Sequence, residues 1–128
     1  MKNIDVVAAI IIEDKQVLAT QRGYGHYAGS WEFPGGKIEN DETPEQALIR
    51  EIKEELDTEI IIDRFLIEVE HDYPDFHLKM KCFLCHTGEG KIKLLEHSAA
   101  KWLDKDNLES VDWLPADFPI LKELHELL

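Results

Sequence analysis

The chain has 128 residues, 44% of them apolar, enough for one hydrophobic core and too short for two domains of ordinary size. It carries 14 Lys and Arg against 27 Asp and Glu, a formal net charge of −13. A surface this acidic repels a phosphate backbone or an anionic bilayer; it excludes broad nucleic-acid or membrane-surface binding and leaves open a small anion whose charge is met by metal ions.

In chain order, Lys2 and then Asp5 interrupt the first apolar stretch, which is not the pattern of a signal peptide, and no run approaches the ~20 apolar residues of a membrane span. A cytoplasmic protein is expected. Ile4–Ile12, rich in Val and Ile, predicts a buried strand, Glu13-Asp14-Lys15 a polar turn, and Gln16–Arg22 the partner strand of a hairpin. Gly23–Gly29 holds three glycines and predicts a loop; Trp31–Phe33 predicts a short strand ending at Pro34-Gly35-Gly36, and Lys37–Thr43 a second loop. Thr43, Pro44 and Gln46 are the opening signature of a helix running to about Leu56.

Ile60–Glu70 and Phe76–Thr87 predict two longer strands, with a turn at Gly88-Glu89-Gly90. Cys82 and Cys85 fall in the second of these, on opposite faces, and read as small apolar residues rather than a disulfide or half of a zinc site. Ala99–Leu103 predicts another strand, Asp104–Leu108 a short helix capped by Asp104, and Pro115–Leu128 a closing helix with an apolar face of Ile120, Leu121, Leu124, Leu127 and Leu128. Strands mixed with a few helices predict an α/β or α+β sandwich, a single domain over residues 1–128.

The first helix is chemically odd. At about 100° per residue, Leu48, Ile49, Ile52 and Leu56 share an apolar stripe, and Glu51, Glu54 and Glu55 share a roughly 100° arc beside it. Carboxylates at these spacings repel one another, and Glu54 and Glu55 stand at the end where the helix dipole disfavours anions. One reading is a solvated acidic face. The other is a divalent-metal site, since Mg²⁺ takes hard oxygen ligands from a few clustered carboxylates and completes its shell with water and substrate phosphate.

The residues preceding the helix favour the second reading. Gly35-Gly36 offers backbone that a ligand can approach closely. Gly36, five residues, Glu42, seven residues, then Arg50-Glu51-Ile52-Lys53-Glu54-Glu55 resembles the signature of the Nudix hydrolases, a match expected by chance at roughly one start in 10⁷ to 10⁸. The family pattern closes with Gly and an apolar residue; this chain has Asp57 and Thr58. Asp tolerates the left-handed conformation that the Gly serves, at a cost of order 1 kcal/mol. Trp31–Lys37, Glu42–Leu48, Glu96-His97 with Trp102, and Leu114–Pro119 extend the likeness to the MutT branch and its CTP-hydrolysing relatives.

That resemblance implies the Nudix fold, a mixed β-sheet sandwiched between helices with the signature as loop–helix–loop. It also implies hydrolysis of a nucleoside or deoxynucleoside triphosphate to monophosphate and pyrophosphate, with 8-oxo-dGTP or a cytidine-type nucleotide as substrates and Mg²⁺, with Mn²⁺ as a substitute, as cofactor. Glu51, Glu54 and Glu55 become the metal-holding carboxylates, joined by the Gly35 or Gly36 carbonyl and by Glu96. Glu51 also becomes the general base, oriented by Arg50. Glu42 supports these groups, or is an ordinary N-terminal helix acid. Lys37 neutralises phosphate or pairs with a glutamate. Arg22, His26, Glu32, Phe33 and Pro34 fall where relatives contact nucleotide; the plain alternatives are a strand-end cation, a loop histidine and core packing. Asp117 reads the base or caps the last helix; when ionised it only accepts hydrogen bonds, which favours donors such as cytosine N4. The other histidines receive no role. A non-catalytic binding module of the same fold, a Nudix enzyme with another nucleoside diphosphate substrate, and a monomer or homodimer remain open.

Overall fold

Alternation along the first strand organises the molecule. In the computed structural model, which describes residues 2–23, 25, 27–88 and 92–128, β1 (Lys2–Glu13) is the central strand. Val7, Ala9 and Ile11 point to one core, with Leu48, Ile52 and Leu56. Ala8 and Ile10 point to a second core, with Ile120 and Leu124. A strand buried on both faces reads as a nearly continuous apolar run, and this one does.

β1 turns at Asp14 and Lys15, both at positive φ (49° and 63°), into β2 (Gln16–Arg22). Two left-handed residues between paired Glu13 and Gln16 make the tight hairpin that suits strand twist. β3 (Trp31–Glu32) pairs with β2, and β4 (Gly35–Lys37) pairs antiparallel with β1. β5 (Ile60–Tyr73) and β6 (Phe76–Thr87) form a long hairpin, β6 lying parallel to β1. β7 (His97–Leu103) returns to β2. The mixed sheet lies between α1 (Pro44–Leu56) and α2 (Phe118–Leu127), as expected. Cys82 and Cys85 are buried in opposite cores and both unpaired, and burial pushes the Cys85 thiol up to about 12.

Five expectations need correction. Gly35–Lys37 is a strand rather than the end of one strand and the start of a loop, because β1 offers it a free edge. Asp104–Leu108 is not a helix: the Asp104 carboxylate accepts from the Asp106 and Asn107 amides, and Asn107 Oδ1 from the Asp104 amide. These local bonds satisfy the backbone in place of a helical ladder, and only a 3₁₀ turn at Leu108–Ser110 follows. The closing helix begins at Phe118, after a separate 3₁₀ turn over Pro115–Asp117. Phe33 lies outside β3. Ile49 is 45% exposed and not part of the apolar stripe, because Ala47 and Glu55 occupy the buried arc on the other side of Leu48. Of the turn expected at Gly88-Glu89-Gly90, Glu89 and Gly90 lie outside the described residues.

The ends of α1 set the site. Thr43 Oγ1 accepts from the Gln46 amide while Gln46 Oε1 accepts from the Thr43 amide, the expected capping box. At the other end Asp57 is left-handed (φ 50°, ψ 41°), the conformation the family's glycine would take. The carbonyls of Leu56 and Glu55 accept from the Lys93 and Leu95 amides (2.8 and 3.0 Å), which ties the segment carrying Glu96 to the helix. Thr58 is 3% exposed and its hydroxyl has no partner among the described residues. Thr58→Val should therefore stabilise the fold by about 1 kcal/mol, read as a rise of about 3 °C in Tm; an unchanged or lower Tm would mean that the hydroxyl is satisfied.

Candidate active site

One face of α1, strand β4 and the β2–β3 edge converge on a cavity of about 320 Å³. Its apolar part is lined by Phe33, Tyr73, Phe76, Leu78, Met80 and Leu114, with Asp117 among them. Its polar part is lined by Arg22, Glu32, Gly35, Gly36, Glu55, Glu96 and His97. The volume is at the lower end of small-molecule sites, and an apolar slot with a few convergent polar groups is how such sites are built.

The carboxylates of α1 are held separately. Arg50 grips Glu42 with both nitrogens of its fork, Nε to Oε2 at 2.7 Å and Nη2 to Oε1 at 2.9 Å, and donates to the Lys37 carbonyl at 3.1 Å. Its Nη1 reaches Glu51 Oε1 at 2.9 Å and Glu54 Oε2 at 3.3 Å. Glu55 Oε1 accepts from the Gly35 amide at 3.1 Å. Gly36 lies against the Glu51 carboxylate, where a Cβ would overlap it. Glu42 is thus a support for Arg50, in line with the sequence reading, and Lys37 contributes its backbone carbonyl.

Electrostatics mark the crowding. Burial, together with the charges of Glu51, Glu32 and Glu96, pushes Glu55 from the ordinary 4.5 up to about 9. Burial raises Glu51 as well, against the pull of Arg50. Carboxylates forced this close are a hard-oxygen donor set short of positive charge, which suits a divalent cation. Among the described residues no three side chains already converge on one metal position: Arg50 stands between Glu51 and Glu54, and Glu55 is drawn to Gly35.

Glu32 joins the two ends of the cavity. Its Oε1 accepts from Arg22 Nη2 at 2.8 Å and its Oε2 from His97 Nε2 at 3.3 Å. Burial opposes ionisation there, yet the His97 hydrogen bond and the Arg22 charge prevail and hold Glu32 below the usual carboxylate range. Asp117 is 4% exposed and makes no capping hydrogen bond, so the helix-cap alternative falls. Burial and the Glu32 charge raise its carboxyl well above the ordinary range. A carboxyl that holds its proton donates as well as accepts, so the residue type alone does not limit Asp117 to reading donors.

Of the residues singled out from sequence, the cavity gathers Arg22, Glu32, Phe33, Gly35, Gly36, Glu55, Glu96 and Asp117. Glu51, Glu54 and Arg50 stand on the adjoining face of α1. Pro34 and Lys37 are not part of the lining: Pro34 is buried with its carbonyl bound to the Ala9 amide, and the Lys37 side chain is exposed. His26 lies outside the described residues. Phe33 is both lining and core, stacked on Trp113 with ring centroids 4.5 Å apart. Sequence reasoning missed His97 and Tyr73. His97 has a signal, the Glu96-His97 pair; Tyr73 has none, because it lies past the Ile60–Glu70 stretch that the sequence predicts as a strand.

Comparison with known proteins places this geometry. The NUDIX domain family model matches residues 6–123. A CTP pyrophosphohydrolase of Escherichia coli (strain K12) is 35% identical over 123 residues, covering 95% of this chain and 91% of that protein. An 8-oxo-dGTP diphosphatase of the same organism is 33% identical over 129 residues, covering 99% of this chain and all of that one. The crystal structure of a MutT NUDIX hydrolase from Burkholderia pseudomallei superposes with a TM-score of 0.81 at 27% identity over the whole of both chains. This chain belongs to the Nudix family, whose enzymes hydrolyse acid anhydrides and in general need divalent metal ions.

Proposed function

We propose that this protein hydrolyses a nucleoside or deoxynucleoside triphosphate to the monophosphate and pyrophosphate with Mg²⁺, or Mn²⁺ in its place. The observation that carries the reading is the continuity of one cavity, from an aromatic slot holding Asp117 to the carboxylates of Glu55 and Glu96. The relatives named above act, by their names, on CTP and on 8-oxo-dGTP. Glu51, Glu54 and Glu55, with the Gly35 and Gly36 carbonyls and Glu96 nearby, would hold the metal. When bound, it supplies charge against the phosphate oxygens and a more acidic water. Arg50 orients Glu51, the general base in this reading. Arg22 and Glu32 meet the nucleoside; Phe33 packs on the base, and Asp117 reads its edge. A non-catalytic module is disfavoured because every carboxylate of the signature is present.

The test is pyrophosphate release across the common ribo- and deoxy-triphosphates, 8-oxo-dGTP, 5-methyl-dCTP, ADP-ribose and a diadenosine polyphosphate. Strong preference for one triphosphate is expected. Asp117→Asn, which imitates a neutral acid, should keep the ranking of bases. Asp117→Leu should lower kcat/KM for the preferred one about tenfold to a hundredfold by leaving a base atom unpaired. If Asn inverts the ranking, Asp117 acts ionised. If neither variant changes it, Asp117 does not read the base.

A further inference from the structure

We propose that His97 is a positioning residue that sets both the nucleoside-side and the metal-side carboxylates through a single N–H. The inference rests on the functional reading above. His97 opens β7, where the β2–β7 ladder shifts register between Gln21 and Arg22 and brings it opposite Arg22. Its side chain is 4% exposed. Nε2 lies 3.3 Å from Glu32 Oε2 and 3.6 Å from Glu55 Oε2. The Glu32 carboxylate accepts, so Nε2 carries the hydrogen: it bonds Glu32 and stands over Glu55 as a close contact.

Nδ1 is buried and has no partner among the described residues. The usual way to hold a working imidazole is a bond at its second nitrogen, and this ring has none among the described residues. The polar capacity of the ring is therefore spent on the two carboxylates. Glu32 is tied in turn to Arg22 at the cavity, and Glu55 to the Gly35 amide at the metal side. The line Arg22–Glu32–His97–Glu55–Gly35 runs from one end of the site to the other.

Two substitutions separate this from a packing role. Gln can place its amide N–H where Nε2 sits; Asn reaches only to the position of Nδ1. Mn²⁺ binding to the nucleotide-free protein, read from the electron paramagnetic resonance of the free ion, reports on the Glu55 side. KM for the preferred triphosphate reports on the Glu32 side. His97→Asn should weaken Mn²⁺ binding about tenfold and raise KM by a similar factor, and His97→Gln should keep both within about threefold of the parent. Loss of only one readout, loss of neither, or failure of Gln to restore them overturns the proposal. A parent that binds no Mn²⁺ and cleaves no triphosphate sinks the functional reading instead.

Discussion

Glu55→Gln should be nearly inactive, with kcat down by about three orders of magnitude or more, and yet no less stable than the parent at pH 8. The loss follows from removing the charge at the carboxylate that lies deepest in the crowd while keeping its size and its acceptor for the Gly35 amide. The stability follows from linkage. Glu55 titrates near 4.5 unfolded and near 9 folded, through burial and the charges of Glu51, Glu32 and Glu96. Below the lower value both states hold the proton. Between the two, the unfolded chain releases a proton that the fold retains, so metal-free stability falls as pH rises. Gln has no such proton. Melts in EDTA should therefore show Glu55→Gln gaining on the parent between pH 5 and pH 8, and equal to it below pH 4.5. Near-normal turnover at saturating Mg²⁺ would remove the proposed metal role, and a lower Tm at pH 8 would remove the electrostatic account. Glu54→Gln should also lose activity with the fold intact, because its side chain is 54% exposed and the substitution buries no unpaired group.

Alanine at the two adjacent glycines should fail in different ways. A Cβ on Gly35 would overlap the Val7 carbonyl and come within 2.9 Å of Ala8 Cα, both part of the central strand. Backbone cannot swing aside, so β4 would have to leave β1; Gly35→Ala should cost about 3 kcal/mol or more. The three nearest atoms to a Cβ on Gly36 all belong to the carboxylate of Glu51. That side chain can rotate, so Gly36→Ala should melt within about 2 °C of the parent while kcat drops by about two orders of magnitude, because Glu51 no longer sits against β4. Thermal melts beside initial rates decide it. A stable, active Gly36→Ala would show that the Glu51 position seen here is not the working one.

Several features were open to a reader of residues alone. The Thr43–Gln46 cap, the helix to Leu56, the hairpin at Asp14-Lys15 and the family signature are local patterns of spacing and propensity. Such patterns depend on neighbours within a turn or two, which is why they survive without coordinates. The left-handed Asp57 belongs with them, since its position past the helix end demanded it. Others depended on partners far along the chain. Gly35–Lys37 is a strand because β1 has an edge to offer, and Ile49 is exposed because the buried arc of α1 is taken by Ala47 and by a glutamate.

The sequence by itself determined the mixed strands and helices and the carboxylates at their helical spacing, because periodicity and short-range turns encode them, and its signature carried the resemblance to the family. Tertiary structure alone decided that Asp117 lies buried against the cavity, its carboxyl raised by burial, with no side-chain bond to the start of the last helix. It alone placed His97, from the seventh strand, between Glu32 of the third and Glu55 of the first helix. Burial, and the pairing of groups 65 and 42 positions apart (97 − 32 and 97 − 55), are properties of the packed chain: desolvation and close-range charge arise only after the sheet has closed its cores around them.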